Sequence, residues 1–246
     1  MADNLNSQKT SLKVAIMQPY FFPYIGQFQL IEAVDRFILF DDVQYIRHGW
    51  INRNRLLKPI EGNYYIIVPL AKHSSGTLIK DIKTVEGNEW KEKILRQLEH
   101  YKKKSPYYTN VRKLISDCLQ TNDTNITQLN SICLKAVCDY IGINYKIEIS
   151  SQMNLDYSNV KNTDDWAIRI SEQLGASEYW NPGGGVTLYD KAKFQNSNIK
   201  LSFLQPNLTP YNQHRTSFEP GLSIIDVMMF QSPAEIKAML QDYQLL

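Results

Sequence analysis

The first part of the sequence alternates between strand-like and helix-like patterns. Short apolar runs over residues 13–17 and 37–40 predict two buried strands. Between them, apolar residues from Phe28 to Val34 recur at mixed three- and four-residue spacing, which predicts a helix. A strand, a helix and a strand in immediate succession form a βαβ unit, whose two strands lie parallel. The pattern therefore predicts an α/β sheet.

Further strand signals follow this unit. Residues 63–69 predict a third strand, and residues 72–85 predict a loop followed by an edge strand. Lys80 and Lys83 would lie on the solvent side of that edge strand. Later strands are predicted over residues 145–149, 178–180 and 199–203.

Helical spacing governs three other parts of the chain. Three amphipathic stretches follow one another within residues 88–142, and the last ends at Gly142, a residue type that favours a helix C-cap. A further helix is predicted over residues 164–175. Two helices follow the last strand, the second with Ser232 as its N-cap and Pro233 as its first residue.

These elements predict an α/β fold, with a Rossmann-like, mostly parallel sheet and a helical insertion. We assign residues 12–87 and 143–246 to a domain that resembles nucleotide-binding domains, and residues 88–142 to the insertion. The polar residues 1–11 are predicted to form a disordered lead.

Composition and charge exclude several classes of protein. Of the 246 residues, 43% are hydrophobic, which suffices for a sizeable core. The net charge is only +2 and the basic residues are spread along the chain, so a nucleic-acid partner is not predicted. No apolar run approaches the roughly 18 residues of a membrane span, and a cytoplasmic location is predicted. The cysteines are predicted to be core residues rather than disulfide or zinc ligands: Cys118, Cys133 and Cys138.

The turn after the first strand, QPYFFPYIG (18–26), is the first candidate site. Ligands of α/β sheets bind at the carboxyl ends of the strands, where this turn must lie. Its two prolines stiffen it, and Gly26 would let a ligand approach the start of the helix, which favours an anion. Phe21 and Phe22 are equally compatible with the core. The predicted binding residues are Gln18, Tyr20, Tyr24, Gly26 and Gln27.

The same turn resembles a degenerate form of the His-Ile-Gly-His turn of nucleotidyltransferases and adenylate-forming ligases. The corresponding residues are Tyr24, Ile25, Gly26 and Gln27, so both histidines are replaced. The resemblance supports the fold more than the reaction, because those histidines stabilise the phosphates of the nucleotide.

Three side chains near the end of the second strand are candidates for catalysis. Asp41 and Asp42 occupy adjacent positions, so only one of them should point toward the site. A carboxylate there could hold Mg²⁺, contact a sugar hydroxyl or act as a base, or it could cap the following turn. His48 is the one histidine whose position makes it a candidate base.

Two later segments could complete the site. Trp50, Asn52 and Arg53, with Arg55 close behind, combine a ring face, an amide and forked cations, as a sugar diphosphate would require. Three consecutive glycines next to Asn181 would expose backbone amides, although such a triplet also serves as a flexible connection. The glycines are Gly183, Gly184 and Gly185.

Taken together, these segments resemble the WbqC-like family, named from a bacterial O-antigen gene cluster. The resemblance rests on the long motif over residues 13–55 and on EYWNPGGGVTLYD (178–190) and FEPGLSIIDVMM (218–229), and it covers nearly the whole chain. It implies a role in the synthesis of lipopolysaccharide or another surface glycan. It does not define a reaction.

We expect an enzyme that transfers an acyl or aminoacyl group to an amino sugar. Its ligands would be a nucleotide-linked sugar and a small-molecule donor. Asp41 or Asp42 would be the base or metal ligand, and the turn would contact the nucleotide or donor. Two alternatives stay open: a non-catalytic protein that binds or delivers sugar nucleotides, and a Mg²⁺-dependent nucleotidyltransferase or adenylating enzyme.

Overall fold

A computed structural model of the chain describes residues 11–246. Apart from Ser11, the predicted disordered lead over residues 1–11 lies outside the described residues. The strands are β1 (Lys13–Met17), β2 (Arg36–Leu39), β3 (Arg53–Leu57), β4 (Asn63–Ile67), β5 (Ile147–Ile149), β6 (Glu178–Pro182), β7 (Lys200–Pro206) and β8 (Tyr243–Leu245). The α-helices are α1 (Ile25–Ala33), α2 (Glu89–Gln97), α3 (Tyr108–Leu119), α4 (Ile126–Ile141), α5 (Thr163–Gln173), α6 (Lys191–Asn196), α7 (Ile224–Phe230) and α8 (Pro233–Met239).

Six strands form one sheet in the order β5-β2-β1-β6-β7-β8. The first five are parallel, and β8 pairs antiparallel with β7. Val14 pairs with Arg36 on one side and with Tyr179 on the other, so β1 lies inside the sheet. The predicted βαβ unit and the mostly parallel, Rossmann-like α/β fold are therefore confirmed.

The strand order changes direction at β1. From β1 the chain adds β2 and β5 on one side, and then crosses to the other side to add β6 and β7. In sheets of this kind, ligands bind in the crevice outside the carboxyl ends of the two strands at such a switch point. Here those ends are Met17 of β1 and Pro182 of β6.

The sheet is the middle of three layers, because its side chains alternate between two apolar clusters. In β1, Ala15 belongs to one cluster, and Val14 and Ile16 belong to the other. The first cluster includes apolar residues of α1 to α4, α7 and α8, and the second includes those of α5 and α6. The assignment of residues 88–142 to a helical insertion stays a prediction.

Two predicted helix caps are confirmed. Gly142 follows α4 with φ 77°, the left-handed conformation that glycine adopts at low cost. Ser232 precedes α8, where its hydroxyl accepts from Glu235 N–H, and the Glu235 carboxylate accepts from Ser232 N–H. This reciprocal pair is a capping box, and Pro233 is the first residue of the helix, as predicted.

Other elements differ from the prediction. The third predicted strand, now β4, lies outside the main sheet and pairs with β3, which the sequence did not predict. The prediction of an edge strand within residues 72–85 is wrong, because the segment contains a 3₁₀ helix, Ile79–Asp81. Ile79 and Ile82 are both fully buried, and their three-residue spacing suits a 3₁₀ turn. Lys80 forms an ion pair with Asp42. The sequence also did not predict α6 and β8.

The three cysteines are buried and free, as expected of core residues. Within residues 11–246, none of the helices is both long enough and apolar enough to cross a membrane.

Candidate ligand-binding site

A cavity of about 360 Å³ opens at the switch point, between the carboxyl ends of β1 and β6. The first turn, the β3 segment and the loops around residues 208 and 221 enclose it. The lining is mostly aromatic or apolar. It consists of Met17, Tyr20, Pro23, Tyr24, Gln27, Trp50, Asn54, Pro182, Leu208 and Gly221. We call this site the switch-point cavity.

Side-chain amides hold the first turn in place. Asn54 Nδ2 donates to the carbonyl oxygens of Phe21 and Phe22 at 3.0 and 2.9 Å. Asn130 Nδ2 donates to the Pro19 and Ile51 carbonyls at 2.7 and 2.8 Å. Both asparagines are buried. The turn thus obtains from distant side chains the hydrogen bonds that a regular element would obtain from its own backbone.

Phe21 and Phe22 are core residues, fully shielded from solvent. Phe22 has φ 39°, in the left-handed region that a non-glycine residue seldom adopts. Its carbonyl also accepts from Ser223 Oγ at 2.7 Å, and Ile224 N–H donates to the Pro23 carbonyl. Contacts from α7 and β3 therefore hold the strained residue in place.

Replacing Asn54 with leucine is expected to lower the free energy of unfolding by about 2 kcal/mol. The leucine would leave the Phe21 carbonyl buried without the amide donor that Asn54 supplies. Urea denaturation measures the change. Asn110→Leu, on the exposed side of α3, is the control and should be close to neutral. A loss no larger than that of the control would mean that Asn54 does not hold the turn.

Gln27, in the first turn of α1, lines the cavity but makes no side-chain hydrogen bond. It is 2% exposed, and neither Oε1 nor Nε2 has a partner within residues 11–246. Burying an amide without partners costs about 1–3 kcal/mol. A ligand with an adjacent donor and acceptor would satisfy both atoms.

Three aromatic residues line the cavity together with Gln27. Burial raises the pKa of Tyr24, and burial together with the nearby Tyr24 and Tyr189 raises the pKa of Tyr20, so both phenols are neutral near pH 7. Trp50 is 38% exposed and lies at the mouth of the cavity. Gly26 serves packing: a Cβ there would lie 2.5 Å from the Tyr24 ring and 2.6 Å from Pro206.

The polar residues beside Trp50 have different roles. Asn52 bridges Tyr45 and the Val68 carbonyl, at 2.9 Å each, and Arg53 donates to the carbonyls of His48 and Gly49. The guanidinium of Arg53 also lies 4.5 Å from the centre of the Tyr65 ring. Neither Asn52 nor Arg53 lines the cavity.

Arg55 is less fully bonded than Arg53. Its Nη2 donates to the Gly221 carbonyl at 3.3 Å, and its guanidinium lies 5.6 Å from the centre of the Trp50 ring. Its Nε is buried without a partner among the described residues. Because Trp50 and Gly221 line the cavity, Arg55 lies beside the rim.

Asp41 and Asp42 lie at the end of β2, but they do not line the cavity. Asp41 is buried and accepts from the Ser151 amide and hydroxyl at 3.1 and 2.9 Å, so it caps the 3₁₀ turn Ser150–Gln152. Asp42 pairs with Lys80 at 3.0 Å and accepts from Tyr157 at 2.9 Å. The Ser150 hydroxyl lies within 3.0 Å of both carboxylates.

These carboxylates do not fit a Mg²⁺ site, since each of their four oxygens already faces a hydrogen-bond donor. Across the described part of the chain, no cluster of three or more histidine, cysteine, aspartate or glutamate residues is placed to hold a metal. His48 is exposed with φ 66° and does not line the cavity either.

The glycine segment packs tightly against its own neighbours. Asn181 Nδ2 donates to the hydroxyls of Tyr179 and Tyr189 at 2.6 and 3.3 Å. A Cβ at Gly183 would collide with Gln205 Oε1, and one at Gly185 would collide with Asn181 Oδ1, whereas Gly184 faces open space. The triplet forms a 3₁₀ turn after β6. A side chain at Gly183 or Gly185 would therefore displace the amide of Gln205 or Asn181.

The structure brings together four of the predicted residues in the cavity lining: Tyr20, Tyr24, Gln27 and Trp50. Gln18 is half-buried and lies outside the lining. The sequence did not predict ligand contacts for Met17, Pro23, Asn54, Pro182, Leu208 or Gly221. The position of Asn54 between the candidate residues Arg53 and Arg55 was the one indication in the sequence that it belongs to the site. Only the tertiary fold shows what Asn54 contacts.

The fold is that of a doubly wound α/β protein with a ring-lined cavity at the switch point of its sheet. Within that class, the chain belongs to the WbqC-like protein family, whose model matches residues 18–238. It is similar to the uncharacterized protein Rv1507c of Mycobacterium tuberculosis, with 29% identity over 220 residues, or 88% of this chain and 92% of that protein. No solved structure matches the chain significantly.

Proposed function

We propose that this chain is a cytoplasmic enzyme of surface-polysaccharide (O-antigen) biosynthesis that acts on a nucleotide-linked sugar. The reaction is transfer of an acyl or aminoacyl group to the amino group of the sugar. Gln27 carries the proposal, because its buried, unpartnered amide lines a cavity at the switch point of the sheet. Family membership supports the choice of pathway.

In this reaction the sugar nitrogen attacks the carbonyl carbon of an activated acyl donor. The C–N bond forms, the bond from the carbonyl carbon to the leaving group breaks with its electron pair, and the departing group takes up the proton that the nitrogen loses. The lining contains no carboxylate, imidazole or thiol group. The contribution of the cavity is therefore to bind the sugar nucleotide so that its neutral amine meets the donor in a reactive orientation.

A second function, non-catalytic binding of a sugar nucleotide, is favoured by a separate observation. None of the side chains that the sequence predicted as catalytic lies free in the cavity. Asp41 and Asp42 bond to neighbouring residues, and His48 faces solvent. A binding protein would use the same cavity and would leave the ligand unchanged.

The test combines ligand binding with product detection. A nucleotide-linked amino sugar such as UDP-glucosamine, at about 100 times its dissociation constant, should stabilise the protein by about 2.7 kcal/mol. That corresponds to a rise in melting temperature of roughly 5–10 °C. Addition of an acyl donor such as acetyl-CoA should then add the mass of the acyl group to the sugar, as seen by mass spectrometry.

The outcomes separate the candidates. Binding without acylation by any activated donor would support the binding protein and contradict the transferase. A shift with nucleoside triphosphates alone, together with release of pyrophosphate, would favour a nucleotidyltransferase. No shift with any of these compounds would contradict both proposals.

A further inference from the structure

We propose that the switch-point cavity takes the nucleobase end of the ligand, with one polar edge of the base on Gln27 and the phosphates on Arg55 at the rim. The sugar then lies outside the cavity. The inference rests on the proposed function and adds to it the orientation of the ligand and the identity of the anion-binding residue.

The lining residues differ in how deep they lie in the cavity. Gln27 is 2% exposed and Trp50 is 38% exposed, so Gln27 lies at the inner end and Trp50 at the mouth. The residues that line the cavity carry no ionised side chain. The inner end therefore suits a neutral group and disfavours a phosphate, whose charge would be buried without a counter-ion.

The shape and polarity of the lining favour a base over a sugar. A nucleobase has two apolar faces and carries its donors and acceptors on its edges, and a carboxamide can pair with an adjacent donor and acceptor at once. A pyranose would bring several hydroxyl groups into the cavity. Most of the cavity wall cannot pair with these hydroxyl groups, because the wall is formed by Met17, Pro23, Pro182, Leu208 and aromatic rings.

Arg55 is the cation placed to take the phosphates. Its guanidinium lies next to two rim residues, 5.6 Å from the Trp50 ring centre and 3.3 Å from the Gly221 carbonyl. Among the described residues, no carboxylate forms an ion pair with it, and its Nε has no partner. A forked guanidinium of this kind matches phosphate oxygens. Arg53, by contrast, already donates to two backbone carbonyls.

Calorimetric measurement of the affinities of separate parts of the ligand tests the proposed orientation. The probes are adenosine, guanosine, cytidine, uridine and thymidine, their 5′-diphosphates, and glucosamine 1-phosphate. With the wild-type chain we expect at least one nucleoside to bind and its diphosphate to bind roughly tenfold more tightly, as one charge-assisted contact would provide. Glucosamine 1-phosphate should bind much more weakly than that diphosphate.

Two variants divide the contributions. Gln27→Met should weaken the nucleoside and its diphosphate by the same factor, roughly tenfold, and should leave their affinity ratio unchanged. Arg55→Gln should bring that ratio close to one and leave nucleoside binding intact. Arg96→Gln removes an equal charge from the exposed surface of α2 and is the control, with no change in the ratio. Arg55→Lys keeps the charge without the fork and replaces Arg55→Gln if that variant does not fold.

Failure of the inference and failure of the proposed function give different results. If glucosamine 1-phosphate binds through Gln27 and no nucleoside or nucleoside diphosphate competes with it, the orientation is wrong and the proposed function stands. An unchanged affinity ratio in Arg55→Gln would also overturn the inference. If neither the fragments nor intact UDP-glucosamine binds, the proposed function itself fails.

Discussion

Replacing Asp226 with alanine is expected to lower the free energy of unfolding by about 3–5 kcal/mol. Asp226 is fully buried in the first turn of α7. Its carboxyl group accepts from Tyr101 and Tyr211 at 2.6 Å each and from Gln213 Nε2 at 3.0 Å. Alanine would leave these donors unpaired in the core. The melting temperature should fall by roughly 10 °C, as measured by calorimetry.

Asp226→Asn is the matched control, because it keeps the shape of the side chain and part of the hydrogen bonding. It should be clearly more stable than Asp226→Ala. If the two variants lost the same stability, volume rather than hydrogen bonding would explain the effect. If neither lost stability, the network would not contribute to folding.

The asparagine variant also isolates the titration of Asp226. Burial raises the pKa of this carboxyl above its unfolded value of about 3.9, although its three hydrogen bonds oppose the shift. Its contribution to stability is therefore fully present below the unfolded pKa and is lost as pH rises through the folded pKa. The stability difference between wild type and Asp226→Asn should accordingly decline as pH rises above about 4.

Substitutions of two glutamines on α1 should have opposite effects on stability. Gln27 and Gln29 are each 2% exposed. Gln29 Nε2 donates to the carbonyls of Met239 and Asp242 at 2.9 and 3.0 Å, whereas Gln27 makes no side-chain hydrogen bond. Gln27→Met should raise the free energy of unfolding by about 1–3 kcal/mol, and Gln29→Met should lower it by a similar amount. Urea denaturation of the ligand-free proteins measures both.

The pair of variants contains its own control, because the residue type, helix, burial and replacement are the same. A loss of stability in Gln27→Met comparable to that in Gln29→Met would show that the Gln27 amide is satisfied in the free protein. Greater stability combined with weaker nucleotide binding would identify Gln27 as a residue retained for its ligand at a cost to folding.

The elements with strong local patterns were predictable from the sequence. The apolar runs of β1 and β2 and the caps at Gly142 and Ser232 follow from spacing and residue type alone. The β3 strand was missed because its sequence, RNRLL, is rich in polar residues. Its inward-facing Asn54 holds a turn 32 and 33 residues away, and this contact depends on the tertiary structure.

The candidate site was predictable in location and only partly in residues. The sheet topology places the first turn at the switch point, and four of the predicted residues line the cavity there. Sequence could not reveal that Asp41 bonds to Ser151 or that Asn52 bridges Tyr45 and Val68. Side chains that look chemically versatile in a sequence are also those that hold a fold together. Only their contacts distinguish the two roles.

The anchoring of the first turn by Asn54, Asn130 and Ser223 also bears on the thermodynamics of recognition. Its conformational entropy is lost when the chain folds, so a ligand does not have to order the turn on arrival. A larger share of the intrinsic interaction energy would then appear as affinity, because the cost of ordering the loop is removed. The proposed site is thus preformed, so that a ligand would meet the turn already in its final shape.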